Sequence, residues 1–206
     1  MRRKLIVFPF NGNGLEAIDC LGQAFELVGF VDDAVEKHGR HGAAEVYSRK
    51  LLDEVPEAQV LAVPGSPTSF RGRKALIASL GISDERFACV VHPRACVADP
   101  RNLGRNVLVM AGVVVTSNAR IGNHVCLLPN AVVHHDVVIG DYTLVGSNVT
   151  LAGGVRVGEG CYLGSGSRFI SGAEVGEGAL VGLGANVIRH VAPGSRVAGN
   201  PARPLP

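Results

Sequence analysis

The 206-residue sequence contains few of the residues on which several common functions depend. It has no Trp, only 5% aromatic residues and a net charge of +2, so it lacks both the stacking rings and the basic surface typical of nucleic-acid-binding proteins. Charged residues make up only 18% against 47% hydrophobic residues, a balance that excludes a largely disordered chain. No apolar run reaches 18 residues, so we expect no insertion into a membrane.

The number and spacing of the cysteines give no indication of a disulfide framework. There are five of them, an odd number, and none belongs to a CxxC pair. The basic start of the sequence runs into an apolar segment that Pro9 and Asn11 interrupt too early for a signal peptide. We therefore predict free thiols in a protein of the reducing cytoplasm.

The first ninety residues alternate two kinds of segment. Apolar runs predict strands over residues 4–8, 26–31, 59–63 and 87–91. The segments between them predict helices over residues 15–24, 44–52 and 72–80. Alternation of this kind favours a parallel sheet with helices on both faces, so residues 1–90 are predicted to form a Rossmann-like α/β domain.

A different period begins at Val91. A large apolar residue recurs at every sixth position from Val91 to Val187, seventeen times without a gap. In a hexapeptide solenoid each hexad supplies a short strand and a turn, and three hexads close one triangular coil, so residues eighteen apart lie above one another. We predict a left-handed parallel β-helix from residue 91 to about 192, within a second domain of residues 91–206 that ends in a short cap.

One turn of this solenoid carries ionisable side chains. His134, His135 and Asp136 are adjacent, whereas most other turns hold Gly, Ser or Asn. An imidazole can act as a general base near neutral pH, and a neighbouring carboxylate can fix its tautomer. The stacking rule places Gly153 one coil above His135, where its N–H could bind a developing oxyanion. The alternative is that the two histidines are solvent-exposed turn residues.

Five segments resemble a known family. They are GFVDD (29–33), RFACVVHPRACV (86–97), VVHHDVVIGD (132–141), LAGGVRVGEG (151–160) and VAGNPAR (197–203). With these strings the whole chain resembles the bacterial nucleotide-aminosugar N-acetyltransferases and the related sialic-acid O-acetyltransferases.

The resemblance implies acetyl-CoA as co-substrate and a homotrimer with its catalytic groove between neighbouring solenoids. It implies that His135 is the general base, that Asp136 increases its basicity, and that the Gly153 amide binds the acetyl carbonyl. Backbone near Ser165 and Leu183 would line the pantetheine arm. Three positions depart from the family pattern, since the family's Asn, Glu and His are here Leu128, His134 and Leu144.

A nucleotide site is expected in the first domain. Gly12, Asn13 and Gly14 follow the first strand and precede a helix, and Asp32 and Asp33 end the second strand. The family usually has Gly-His-Gly in this loop, and the complete GxGxxG pattern is absent. The alternative is a helix-capping loop and an acidic turn. We assign the acceptor contacts to these five residues and His134.

The sequence therefore predicts an acetyl-CoA-dependent enzyme that N-acetylates a nucleotide-linked amino sugar for surface glycan synthesis, with no metal. Alternatives are O-acetylation of a sugar or another small acceptor, and a non-catalytic nucleotide-binding solenoid. A zinc carbonic anhydrase on the same fold would need histidines about two coils apart. The solenoid histidines at 92, 124, 134, 135 and 190 include no pair separated by 36 or by 5.

Overall fold

The structure is a computed structural model that describes residues 2–205, so Met1 and Pro206, the outermost residues of the two predicted domains, lie outside it. The N-terminal part contains strands β1 (Arg3–Phe8), β2 (Phe25–Val31), β3 (Gly39–His41), β4 (Ala44–Tyr47) and β5 (Gln59–Ala62). Its α-helices are α1 (Gly12–Ala17), α2 (Leu51–Glu54) and α3 (Arg73–Ala78). Short 3₁₀ turns cover Ile18–Cys20, Val35–Lys37, Phe70–Gly72, Asp84–Arg86 and, in the solenoid, Pro100–Asn102.

These five strands form one sheet in the order β3-β4-β2-β1-β5. All neighbours are parallel except the edge pair β3 and β4. Side chains of β1 alternate between two apolar clusters, with Leu5 and Val7 in one and Ile6 and Phe8 in the other. The sheet is therefore buried on both faces, which explains why β1 reads as a continuous apolar run.

The helix predicted over residues 44–52 is wrong for most of its length, since helix α2 begins only at Leu51. Residues Ala44–Tyr47 are strand β4, in which Ala44 and Val46 are buried and the intervening Glu45 is not. Gly42, with a φ of +62°, closes a two-residue turn that pairs β4 with β3. Alternation with a period of two and a glycine in the left-handed region are strand and hairpin signals that outweighed the helical composition of this segment.

Two other boundaries also differ from the sequence-based expectation. The first helix starts at Gly12 and ends at Ala17, and a 3₁₀ turn, Ile18–Cys20, follows it. The strand predicted over residues 87–91 is reduced to Val90–Val91, which joins the solenoid. Phe87 makes only a single bridge to Val60 of β5, so residues 87–91 link the two parts of the chain.

The solenoid consists of strands of two residues, except at its final closure. They are β6 (Val90–Val91), β7 (Cys96–Val97), β8 (Leu108–Val109), β9 (Val114–Val115), β10 (Arg120–Ile121), β11 (Cys126–Leu127), β12 (Val132–Val133), β13 (Val138–Ile139), β14 (Leu144–Val145), β15 (Thr150–Leu151), β16 (Arg156–Val157), β17 (Tyr162–Leu163), β18 (Arg168–Phe169), β19 (Glu174–Val175), β20 (Leu180–Val181), β21 (Asn186–Val187), β22 (Arg196–Ala198) and β23 (Arg203–Pro204).

Three parallel sheets form the faces of the prism. Face I contains β6, β8, β11, β14, β17, β20, β22 and β23, face II contains β7, β9, β12, β15, β18 and β21, and face III contains β10, β13, β16 and β19. Paired residues differ by eighteen, as in Val132 with Thr150 and Leu144 with Tyr162, except at the last coil, where Val181 pairs with Val197. The predicted coil of three hexads is confirmed, and the hexapeptide repeats with their parallel sheets fit a left-handed β-helix.

Each hexad sends two side chains into the prism. From β8 to β21 the second residue of a strand and the residue two positions before it are buried, as Val133 and Ala131 are, both at 0% exposure. The first strand residue points outward. On face I those outward residues include Leu108, Cys126 and Leu144, and they share one apolar cluster with Leu5 and Val7 of β1. The N-terminal sheet is therefore packed against face I.

The top of the solenoid closes with a change of strand direction. β22 continues face I in parallel, and β23 then folds back against it in antiparallel register, with Ala198 opposite Arg203. Among residues 2–205, no helix combines the length and apolar character needed to cross a bilayer.

Candidate active site

The predicted catalytic residues occupy the edge where face II meets face III. His134, His135 and Asp136 form the turn between β12 and β13. Asp136 has a φ of +60°, and the residues one coil below and above it, Asn118 and Gly154, share this left-handed conformation. Asn, Asp and Gly tolerate such a conformation better than most other residues, so the turn geometry is compatible with Asp at this position.

The two predicted catalytic side chains are hydrogen-bonded to each other. His135 Nδ1 lies 2.8 Å from Asp136 Oδ2. The other carboxylate oxygen accepts from Asn118 Nδ2 at 3.1 Å. The bond to His135, followed by that from Asn118, lowers the pKa of Asp136 below its ordinary value. The carboxylate is therefore ionised at neutral pH and favours the tautomer with the proton on Nδ1, which leaves Nε2 free to accept a proton.

Gly153 lies directly above His135, as the eighteen-residue stacking predicts. A side chain at Gly153 would collide with Nε2 and Cε1 of the imidazole, so the ring rests against the bare backbone of this glycine. Within residues 2–205, no hydrogen bond uses the Gly153 N–H as donor. The edge thus places a proton-accepting nitrogen next to an available N–H donor, the pair of groups that acyl transfer requires.

The chain's own N-terminal part does not enclose this edge. The side chains of His135 and Asp136 are 62% and 56% exposed. His134 is half-buried, and its backbone N–H donates to Leu151 O at 3.0 Å. In a single chain this edge is therefore open to solvent.

The predicted coenzyme contacts fall on two different edges. Gly153 lies beside His135, whereas Ser165 and Leu183 lie in turns between face I and face II. Ser165 Oγ accepts from Ser147 N at 3.2 Å, and Leu183 is 72% exposed. One chain thus does not bring Ser165 and Leu183 next to Gly153.

The glycine-rich loop forms a separate cavity at the carboxyl end of the parallel sheet. Asn11 caps α1, because its Oδ1 accepts from Gly14 N at 2.8 Å. Gly14 is buried, and a side chain there would meet Pro9 O and the Phe30 ring, so this glycine is needed for packing. The cavity has a volume of about 310 Å³ and is lined by Asn11, Gly12, Asn13, Gly65, Ser66 and Ser69.

The last three of these residues were not predicted from the sequence. Ser66 and Ser69 follow β5, which pairs with β1 in parallel, so both loops emerge at the same edge of the sheet. Ligands of open parallel sheets bind at that edge, where the loops after neighbouring strands meet. A Gly-Ser-Pro segment directly after a buried strand was the available signal.

The two predicted acids lie outside the lining of this cavity. The Asp32 side chain is 6% exposed, and its carboxylate accepts from Phe10 N, Ala34 N and Lys37 Nζ, each at 2.9 Å. Asp33 is 48% exposed and forms a bidentate pair with Arg49 at 2.6 and 2.7 Å. Asp32 therefore stabilises the loop through its hydrogen bond from Phe10 N, whereas Asp33 contacts Arg49.

The apolar departures from the family pattern have a packing explanation. Leu144 is 3% exposed on face I, and Leu128 is half-buried against the same apolar cluster as β1. Both side chains contribute to the contact between the N-terminal sheet and the solenoid. In the part of the chain that the structure describes, no three His, Cys, Asp or Glu side chains lie close enough together to hold a metal ion.

Two family models match the solenoid. The model described as bacterial transferase hexapeptide (six repeats) matches residues 102–135 and 118–153, and the model described as hexapeptide repeat of succinyl-transferase matches residues 154–188. The search of curated proteins found no match.

Solved structures match the whole chain. The acetyltransferase domain of PglB from Neisseria gonorrhoeae, in complex with acetyl coenzyme A, is 27% identical with a TM-score of 0.85 over 100% of both chains. PerB from Caulobacter crescentus, in complex with CoA and GDP-perosamine, is 28% identical with a TM-score of 0.85 over 100% of this chain and 98% of that chain. WeeI from Acinetobacter baumannii, at 24% identity and a TM-score of 0.79 over 100% of both chains, shares the fold.

Proposed function

The chain belongs to the hexapeptide-repeat family of bacterial sugar N-acetyltransferases, and on that premise we propose that it transfers an acetyl group from acetyl-CoA to the amine of a nucleotide-linked amino sugar. One observation supports the chemistry above all others. His135, oriented by Asp136, lies against the backbone of Gly153, whose N–H is available as a donor. The products of this reaction serve surface glycan synthesis.

The reaction is a direct transfer. The amine nitrogen of the sugar attacks the thioester carbonyl carbon, and the N–C bond forms. At the same time His135 Nε2 accepts a proton from that amine. The Gly153 N–H donates to the carbonyl oxygen while that oxygen carries negative charge. The C–S bond then breaks, and the protonated imidazole returns its proton to the departing thiolate of CoA. Asp136 holds the ring throughout and stabilises its cationic form.

The second wall of the site comes from another copy of the chain. The N-terminal sheet covers face I, while His135 lies on the opposite edge, between faces II and III. The loop cavity and the base of one chain are thus on different sides of its prism. In a homotrimer with face II toward the threefold axis, the edge bearing Ser165 and Leu183 meets a neighbour's edge bearing His135 and Gly153, which unites the predicted coenzyme contacts.

The acceptor's nucleotide occupies the cavity lined by Gly12, Asn13 and Ser66, in a Rossmann-like N-terminal domain. Gly14 and Asp32 hold the loop in place, since Gly14 packs beneath it and Asp32 accepts from Phe10 N. PerB, which shares this fold, was solved with CoA and GDP-perosamine. Asp33 lies beyond the cavity. His134 lies beside the base, and its side chain contacts the acceptor.

No metal takes part in this mechanism, because the imidazole and the peptide N–H supply both the base and the electrophilic stabilisation. The enzyme works in the cytoplasm, where its five free cysteines remain reduced.

The test is release of CoA thiol from acetyl-CoA in the presence of UDP-, GDP- and dTDP-linked amino sugars. We expect thiol release with one nucleotide class and an amide product identified by mass spectrometry. An alkali-labile ester on a hydroxyl acceptor would instead establish the O-acetyltransferase. Binding of nucleotide sugars without thiol release from any acceptor would establish a non-catalytic solenoid.

Mixed trimers test the shared site. Gly12 is exposed with open space around its Cα, so Gly12→Trp fills the loop cavity without disturbing the core. Both Gly12→Trp and His135→Ala homotrimers should be nearly inactive. Co-assembly of the two should restore activity, because some sites then combine an intact loop with an intact base. Mixtures that stay inactive despite proven co-assembly would contradict the shared site.

A further inference from the structure

Face III carries two arginines on the same vertical line. Arg120 on β10 pairs in register with Val138 on β13, and Val138 pairs with Arg156 on β16. The two guanidinium-bearing side chains are thus separated by two strand spacings, about 10 Å. They flank a trough of about 470 Å³, completed by Asn102, Asn118 and Asp136.

No carboxylate lies within ion-pair distance of either arginine in the part of the chain that the structure describes, although Glu174 of β19 follows Arg156 in register one coil above and has its carboxylate 3.7 Å from His190. Both arginines are exposed, and among residues 2–205 neither forms an ion pair. Arg101 and Arg105 of the same solenoid, in contrast, pair with Asp99 and Asp84.

The one carboxylate in the trough does not supply the missing countercharge. Asp136 uses one oxygen for His135 and the other for Asn118, so neither is directed to an arginine. Val138 forms an apolar floor between the two guanidinium groups. The trough therefore favours an extended anion that spans two coils.

We infer that Arg120 and Arg156 bind the diphosphate of the nucleotide-linked acceptor. This inference rests on the proposed function and adds the residues that select a diphosphate-linked sugar over a free one. Arginine suits the task, because its planar guanidinium donates two parallel hydrogen bonds to a phosphate.

Position decides which substrate supplies the diphosphate. Val138 begins the strand that follows the turn of His135 and Asp136, and Arg120 and Arg156 lie one coil below and one coil above Val138. In a nucleotide-linked amino sugar only the sugar ring separates the reacting amine from the diphosphate. In acetyl-CoA the whole pantetheine arm separates the thioester from the diphosphate. A diphosphate site beside the base therefore fits the acceptor.

The test compares Arg120→Gln, Arg156→Gln and the double variant with Arg105→Gln, a control that removes the same charge from an exposed solenoid residue outside the trough. We expect the KM for the nucleotide amino sugar to rise about 10- to 100-fold in each single variant, the usual effect of losing a hydrogen bond to a charged group. The KM for acetyl-CoA and the kcat with saturating acceptor should remain near the wild-type values. The control should change neither.

Calorimetry separates this inference from the proposed function. Titrations of inorganic pyrophosphate and of CoA into the proteins need no turnover. Weaker pyrophosphate binding in the double variant, with unchanged CoA binding, supports the trough even if the wild-type protein acetylates no amino sugar. Loss of CoA affinity with unchanged pyrophosphate and acceptor binding would assign the trough to the coenzyme and overturn the inference, as would no change in any of the three.

Discussion

Two histidines of the solenoid lie in turns of the same kind and have opposite surroundings. His135, on the edge between faces II and III, has a 62% exposed side chain and a carboxylate on Nδ1. His124, on the edge between faces III and I, is 7% exposed, and its Nδ1 lies 3.0 Å from the amide of Asn106. Its ring stacks on Tyr142 with centroids 4.6 Å apart and an interplanar angle of 8°.

The two histidines differ in exposure because only one of the two edges is covered by the N-terminal part of the chain. The edge of His124 faces the N-terminal part of the same chain, where the buried Arg73 donates to the carbonyl oxygens of Pro64, Tyr142 and His124. Burial, and then the charge of Arg73, lower the pKa of His124 and favour a neutral, structural imidazole. The same type of residue thus packs between the N-terminal part and the solenoid at one edge, and at another edge it is exposed and is the proposed base.

The largest expected effect is the loss of catalytic activity when His135 is removed from the exposed edge. His135→Ala should lower kcat by about 10²- to 10⁴-fold, because a general base contributes that much, and leave thermal stability unchanged. His190→Ala is the matched control, since His190 is another exposed histidine near a carboxylate, 3.7 Å from Glu174. Steady-state kinetics that show equal activity for His135→Ala and wild type would disprove the assignment of the base.

The next effect concerns the buried edge. Arg73→Met leaves buried carbonyl oxygens without a donor, so we expect a loss of about 2–4 kcal/mol in the free energy of unfolding. Arg101→Met, at a 90% exposed side chain, should change it by less than about 0.5 kcal/mol. Urea titrations of the two variants measure the contrast. Equal stabilities would mean that Arg73 does not stabilise the contact between the N-terminal part and the solenoid.

Adjacent glycines can separate activity from stability on the exposed edge. Gly153→Ala places a methyl group against the His135 ring, and a displaced base should reduce kcat about 10- to 100-fold at little cost in stability. Gly154 has open space but a φ of +71°, so Gly154→Ala should cost about 1–2 kcal/mol of stability. Its activity at low temperature should be nearly normal. Identical effects of the two substitutions would refute the contact between His135 and Gly153.

The smallest expected effect is a pH dependence at the buried edge. Because the pKa of His124 is lower in the folded state, the unfolded state binds more protons between that pKa and the ordinary value of about 6.5. The free energy of unfolding should therefore have its full value above about pH 6.5 and decrease as the pH falls through this window. His124→Gln should flatten the slope in denaturant titrations at several pH values. An unchanged slope would assign the acid sensitivity elsewhere.

The solenoid could be predicted in detail because its sequence period is also its structural period. Two side chains of each hexad fill the prism over most of its length, so the apolar residues at every sixth position set the register, and eighteen-residue stacking places Gly153 over His135. The family expected from the sequence is also confirmed. The N-terminal part was harder, since its strands alternate with irregular segments, and the β3–β4 hairpin depends on Gly42 rather than on a period.

The site was only partly visible in the sequence. The bond between His135 and Asp136 is local, whereas Asn118 is brought to Asp136 by stacking, and Ser66 reaches the loop cavity through the pairing of β5 with β1. The importance of Arg73 and of the pair Arg120 and Arg156 depends on which faces are covered. Sequence periodicity reveals the prism, but it does not reveal what lies against each side of it.

The closing strand at the top of the solenoid has a consequence for self-association. A column of parallel strands with uniform spacing ends in unpaired backbone groups, onto which a second molecule could continue the column. Here β23 lies across that end in reverse direction, and Pro204 lacks an N–H. The end of face I is thereby protected against continuation of that face by a second molecule.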